Sequence, residues 1–220
     1  MNGIAEKNQQ ERLVLVPTHA VHLEGSLVVP EGAQGIVLFA HGSGSSRYSP
    51  RNHYIAKVLQ DANLATLLID LLARKEVAND IQFRFDIPLL SNRILGITNW
   101  LTQDPETKHL KIGYFGASTG AGAALLASTR RPDIVQAIVS RGGRPDLAGK
   151  ALPLVRASTL LIVGGHDYPV IAMNREALAQ IPSEKRLEII PGATHLFQEP
   201  GALEEVAQLA SEWFKQYLAP

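Results

Sequence analysis

Ile112-Gly113-Tyr114-Phe115-Gly116-Ala117-Ser118-Thr119-Gly120-Ala121-Gly122-Ala123-Ala124 is the stretch that decides the reading of this chain. An apolar run gives way to G-x-S-x-G and then to small residues, the pattern of a strand that turns sharply into a helix. Ser118 is expected at the apex of the turn, in a sparsely populated backbone conformation. Gly116 and Gly120 remove the bulk that such a turn cannot hold. The helix behind it begins with free N–H groups, Thr119 first among them, where a developing oxyanion would find donors.

The pentapeptide alone leaves other readings open. It also suits a tight strand–helix junction with no chemistry. Gly116-x-x-x-Gly120-x-Gly122 is similar to the nucleotide-binding turn of short-chain dehydrogenases. That turn belongs after a first strand, whereas here more than 100 residues precede it, and no Tyr-x-x-x-Lys pair exists because Tyr54 is followed by Lys57.

Outward from this stretch, apolar runs recur at Gly35–Ala40, Ala65–Ile69, Ile134–Val139 and Thr159–Val163, apolar on both faces as parallel strands covered by helices should be. Leu187–Ile190 closes the series. Arg12–Val16 and Val21–Val29 alternate instead and flank Pro-Thr-His, which reads as an antiparallel hairpin. Helix-length segments near 52–61, 89–102, 119–131, 170–180 and 201–218 lie between the runs. Strand alternating with helix predicts an α/β fold, a doubly wound, mostly parallel sheet of about eight strands with helices on both faces. With 220 residues and no linker or repeat, one domain over 1–220 is expected. The segment from Arg141 to Ala157 is too short for a separate cap domain, and the polar stretch Ala73–Phe85 suits a small flap.

In such a sheet, chemistry gathers at the carboxyl ends of the strands. Ser118 stands at one such end. A serine hydroxyl is a weak nucleophile and needs a positioned base, which itself needs an orienting acid. The expected order for this turn is Ser, acid, His. Asp167 follows Leu160-Leu161-Ile162-Val163-Gly164-Gly165-His166, and His195 lies in Pro191-Gly192-Ala193-Thr194-His195, separations of 49 and 28 residues. Asp167 could instead cap the helix that follows it, and Asp146 is a rival acid one strand earlier. In Phe39-Ala40-His41-Gly42-Ser43-Gly44-Ser45-Ser46-Arg47, the Ser43 N–H is the candidate second oxyanion donor, with Gly44 next. Arg141 ends a strand at the same edge, placed either to bind a substrate carboxylate through its fork of donors or to pair with Asp146. Arg47, Arg74 and Lys75 carry the same ambiguity, while Asp70 suits a substrate contact or a cap.

Composition excludes other classes. Lys+Arg and Asp+Glu are 21 each, so no charge excess points to nucleic acid or an anionic membrane. Cys is zero, which rules out a disulfide framework, a Cys-ligated zinc and a cysteine nucleophile. His-Glu-x-x-His is absent, and His19 and His22 would face opposite sides of a strand, so neither a metal nor another cofactor is expected. No apolar run is long enough to span a bilayer, and residues 1–12 are polar, so a cytoplasmic location is expected.

With these residues placed, the sequence resembles the α/β-hydrolase superfamily, and within it the dienelactone-hydrolase-like branch. The likeness runs from His41 to Leu218. It includes Ser140-Arg141-Gly142-Gly143-Arg144-Pro145-Asp146 and Pro191-Gly192-Ala193-Thr194-His195-Leu196-Phe197. The resemblance implies Ser118 as nucleophile, Asp167 as acid and His195 as base. It departs at one point: dienelactone hydrolases carry a cysteine at the turn, where this chain has Ser118. Relatives also occur joined to phosphoribosyltransferase-like domains, of which this sequence shows no trace. The expectation is an esterase for short-chain, soluble small-molecule esters, acting as monomer or homodimer. A thioesterase or amidase on the same three residues, or a silent interaction domain on this scaffold, are the alternatives.

Overall fold

The computed structural model describes residues 10–18, 21–79 and 81–219. Eight strands form one sheet: β1 (Glu11–Pro17), β2 (His22–Val28), β3 (Gly35–Ala40), β4 (Ala65–Ile69), β5 (Lys111–Ala117), β6 (Val135–Arg141), β7 (Ser158–Gly164) and β8 (Lys185–Ile190). Their order is β1-β2-β4-β3-β5-β6-β7-β8. The β1–β2 and β2–β4 pairs are antiparallel, and every pair from β4 to β8 is parallel. The turn expected between the first two strands includes His19, which lies outside the described residues.

The described residues form six α-helices, α1 (Pro50–Asp61), α2 (Arg74–Asn79), α3 (Ile87–Leu101), α4 (Thr119–Ser128), α5 (Tyr168–Gln180) and α6 (Ala202–Leu218), of which all but the short α2 pack on the sheet. Both α1 and α3 begin two residues earlier than the apolar pattern alone suggests. Ser49 caps α1 through Asn52 N–H, Asp86 caps α3 through Leu89 N–H, and a proline stands in each first turn, where its missing N–H costs no helical bond. The helix α4 stops at Ser128, earlier than its apolar run suggests. Short 3-10 stretches at Ile81–Phe85 and Pro145–Leu154 complete the chain.

The apolar surface divides by sheet face. Ile55, Leu59, Phe115, Val139, Val206 and Phe214 form a core beneath α1 and α6. Leu38, Ile94, Ile97, Leu125, Ile138 and Leu152 form another beneath α3 and α4. Tyr114 is fully buried, yet its hydroxyl bonds to Thr98 at 2.6 Å, which meets the requirement that buried polar atoms be paired.

The strand order reverses at one place. From β3 the chain moves outward to β4 through α1 on one face, and from β5 outward the other way through α4 on the opposite face. The loops leaving β3 and β5 therefore diverge, and a crevice opens at the carboxyl ends of these two neighbours. The loop after β3 and the Ser118 turn after β5 form its walls.

Candidate active site

The turn after β5 is built as tightly as its sequence implies. Ser118 has φ 49° and ψ −124°, a region that L-residues avoid and that persists only where the surroundings over-determine it. They do so here. The Ser118 carbonyl accepts from Ala121 N and Arg144 N at 3.1 and 3.0 Å, and its N–H faces the Arg141 carbonyl at 3.4 Å. A Cβ on Gly116 would come within 2.4 Å of Ala121 Cα, and one on Gly120 within 2.2 Å of the Ala40 carbonyl oxygen. Only glycine fits at either place.

The other two residues come from loops zipped to each other. Gly165 N donates to the Ile190 carbonyl at 2.8 Å and His166 N to the Ala193 carbonyl at 2.9 Å, so the ends of β7 and β8 form one unit. Asp167 precedes α5, yet its carboxylate caps nothing. Instead its Oδ2 meets His195 Nδ1 at 2.6 Å, which leaves Nε2 as the ring nitrogen not engaged by Asp167. The capping reading of Asp167 is thereby set aside. Asp146 is no rival either: Arg144 holds both its oxygens, at 2.8 and 2.7 Å.

Phe197 fixes the histidine loop from below. It is buried in the α1/α6 core while holding φ 54°, a costly geometry for a bulky residue that burial of the ring offsets. Thr194 Oγ1 bonds to Glu199 at 2.6 Å and ties the loop from its outer side. Neither residue carried a sequence signal beyond its place in the motif.

Gly142 follows Arg141, whose carbonyl faces the Ser118 N–H, and it borders the His195 loop as well. A Cβ on Gly142, the residue after the strand neighbour of the Ser118 turn, would sit 3.5 Å from His195 Cε1. A Cβ on Gly42 would sit 3.0 Å from Ser118 Cβ. The Ser118 hydroxyl makes no hydrogen bond to His195 among those of the described residues. In free proteins such contacts are commonly long and tighten with substrate.

The loop after β3 departs from the expectation. Ser43 N donates to the Thr119 hydroxyl at 3.0 Å, so the expected donor is occupied by a side chain of the opposite wall. The Thr119 N–H, first in α4, has no intrahelical acceptor. Gly44 lines a cavity of about 650 Å³ that continues from the loop toward Asp70, Leu72 and Arg84.

His41 anchors this loop, a role its sequence position did not reveal. Its Nδ1–H donates to the Gly42 carbonyl at 2.9 Å, and its Nε2 accepts from Leu71 N at 3.1 Å. Burial pushes the imidazole below its ordinary value of 6.5. The neutral ring is therefore the folded form, and protonation would cancel the Leu71 bond. A histidine with a depressed pKa stabilises the fold fully above the unfolded value and loses that contribution as pH falls below 6.5. Urea midpoints at pH 7.5 and pH 5 should fall further for the wild type than for His41→Gln.

The arginines sort by partner. Arg47 is buried and bound to Asp70 and Glu24, each at 2.6 Å, and Arg74 joins Glu24 at 3.0 Å. Arg47 is thus structural, while Arg74 is an exposed partner of Glu24. Asp70, similarly, serves Arg47 through both its guanidinium and its backbone N–H. The expected alternative of an Arg141–Asp146 pair does not occur; Asp146 belongs to Arg144. Among the described residues, no group of three or more His, Asp or Glu is placed to hold a metal ion, and no helix is long and apolar enough to cross a membrane.

Comparison with known proteins matches residues 23–218 to the dienelactone hydrolase family. The chain belongs to that family. A dienelactone hydrolase from Anabaena variabilis is 65 % identical, covers 96 % of this chain and 99 % of its own, and superposes with a TM-score of 0.94. Est1E from Butyrivibrio proteoclasticus, 15 % identical over 93 % of this chain and 98 % of its own, shares the fold with a TM-score of 0.78. The eight-stranded sheet is thus the α/β-hydrolase sheet. A Mycobacterium tuberculosis protein with a provisional phosphoribosyl transferase name is 52 % identical over 218 residues, 99 % of this chain and 49 % of that protein. The chain spans about half the length of the curated relatives it matches, so the transferase name describes a longer molecule.

Proposed function

We propose that this dienelactone hydrolase family member is a serine hydrolase of carboxylic esters. The observation that carries this reading is the 2.6 Å Asp167–His195 bond beside a serine held at φ 49°. His195 takes the Ser118 proton at Nε2 as the hydroxyl oxygen attacks the acyl carbon. Asp167 holds the ring in the tautomer with the proton on Nδ1 and stabilises the imidazolium. The carbonyl oxygen becomes an oxyanion that the Thr119 N–H receives. Ser43 N–H joins once the substrate displaces the Thr119 hydroxyl from it. The alcohol leaves with the proton from Nε2. Water then attacks the acyl-enzyme, with His195 again as base, and releases the acid.

Small, soluble esters fit this reading. The segment after β6 forms only a 3-10 stretch at Pro145–Leu154 and no cap, and the cavity of about 650 Å³ against the loop after β3, lined by Gly42 and Ser43 and not by Asp167 or His195, suits a ligand of modest size. Turnover of matched 4-nitrophenyl butyrate, butyryl thioester and butyryl anilide tests the reaction class. The ester is expected to be fastest, with rates falling for acyl chains beyond the medium range. Faster cleavage of the thioester or anilide would overturn the ester reading. Equal inertness toward all three would leave a binding domain.

A further inference from the structure

Asn174 stands where an apolar side chain would be the simpler filling. It lies in the middle of α5 and is wholly buried, yet its Oδ1 is enclosed without a partner among the described residues. A buried polar atom left unpaired loses its hydration and gains nothing in return. The amide nitrogen, by contrast, is fully used. It donates to the Val170 carbonyl at 2.8 Å and to the Gly143 carbonyl at 3.0 Å. Two carbonyls at one atom fix it as the nitrogen of the amide. The Val170 bond stays within α5, whereas the Gly143 bond crosses to the loop after β6.

That loop bears on the nucleophile. The Gly143–Arg144 peptide accepts from Asn174 at its carbonyl, and its Arg144 N–H donates to the Ser118 carbonyl at 3.0 Å. Hydrogen bonds in such a series polarise one another. The other donor to the Ser118 carbonyl, Ala121 N, belongs to the same turn. Packing around the peptide is close. A Cβ on Gly143 would lie 2.6 Å from Ala121 Cβ, and one on Gly122 would lie 2.7 Å from the Arg144 carbonyl oxygen. A rotation of this peptide is therefore passed on to the first turn of α4 and to Ser118, which already holds φ 49°.

The start of the same helix bears on the acid. Asp167 occupies the cap position of α5, where its carbonyl accepts from Ile171 N at 2.9 Å while its carboxylate goes to His195. Asp167 and Asn174 are seven residues apart, two helical turns, and so lie on one face. One helix thus carries the acid at its first turn and grips the nucleophile turn from its middle.

We propose that Asn174 is a positioning residue: its amide sets the Gly143–Arg144 peptide, and through it the Ser118 turn, relative to the Asp167–His195 pair. The unpaired Oδ1 accompanies a donor that no apolar side chain could supply. The effect on rate rests on the serine-hydrolase reading; the effect on the Arg144 amide does not.

Asn174→Ala and Asn174→Leu test it, the smaller side chain being the less disturbing to the fold. Hydrogen exchange at the Arg144 amide should quicken by ~10-fold or more in both. On 4-nitrophenyl butyrate, kcat should fall by ~10- to ~100-fold with KM little changed, and fluorophosphonate labelling of Ser118 should slow by a similar factor. Thr107→Val is the control. It removes a buried bond to the Leu101 carbonyl ahead of the amino end of β5, and should lower the melting temperature while kcat stays within about two-fold of wild type. Wild-type kcat and labelling in both Asn174 variants would overturn the role. So would unchanged exchange at Arg144, or a loss of rate that Thr107→Val matches at equal loss of melting temperature. Faster Arg144 exchange in a protein whose Ser118→Ala variant still turned over esters would uphold the hold on the turn and remove the serine mechanism.

Discussion

Ser118→Ala is expected to lower kcat on a 4-nitrophenyl acyl ester by between ~10³- and ~10⁶-fold, with KM little changed. The size follows from what the hydroxyl does. Without it, His195 and the backbone donors remain but no acyl-enzyme can form, and only direct attack by water on a polarised carbonyl is left. The substitution removes one atom at a position whose backbone is held by Ala121, Arg144 and Arg141, so the fold should be untouched and the melting temperature close to wild type. Steady-state kinetics together with a thermal scan separate the two effects. A residual rate within ten-fold of wild type would assign the chemistry to another group.

Asp167→Asn is the second large effect, about 10⁴-fold in kcat. The amide is the same size and can still meet His195 Nδ1, but it donates where the carboxylate accepted. The ring would then carry its proton on Nε2 and present an N–H, not a lone pair, to Ser118. The consequence is specific to pH. With the ring presenting an N–H, hydroxide must take the Ser118 proton instead, so the residual rate should climb more steeply into alkaline solution than the wild-type rate does. A rate–pH profile of the variant checks this. Asp146→Asn provides the contrast, since Asp146 spends both oxygens on Arg144, and its rate should stay within a few-fold of wild type.

The parts of this arrangement that sequence reveals are those encoded by local pattern. G-x-S-x-G between an apolar run and small residues specifies the Ser118 turn, because the backbone there tolerates nothing bulkier than Gly116 and Gly120. Parallel strands read as apolar on both faces, and their carboxyl ends then name Asp167 and His195. What stayed hidden depends on side chains meeting from distant segments. Arg47, Arg74 and Arg141 look alike at the sheet edge, and only the fold shows that Asp70 and Glu24 pair with Arg47 and that Glu24 also meets Arg74. The same holds for Ser43, whose N–H meets a Thr119 hydroxyl 76 residues away, and for His41, whose buried ring bridges the loops after β3 and β4. The α2 helix and the neighbouring 3-10 stretch fall in a polar segment too short for periodicity to register.

The central claim is that Ser118 is the residue that becomes acylated, and a fluorophosphonate probe tests it most directly. The wild type should take up one probe per chain, and peptide mapping should place the adduct on Ser118. Labelling should vanish in Ser118→Ala and slow sharply in Asp167→Asn. An adduct on any other residue, or steady ester turnover by a protein that the probe never modifies, would contradict it.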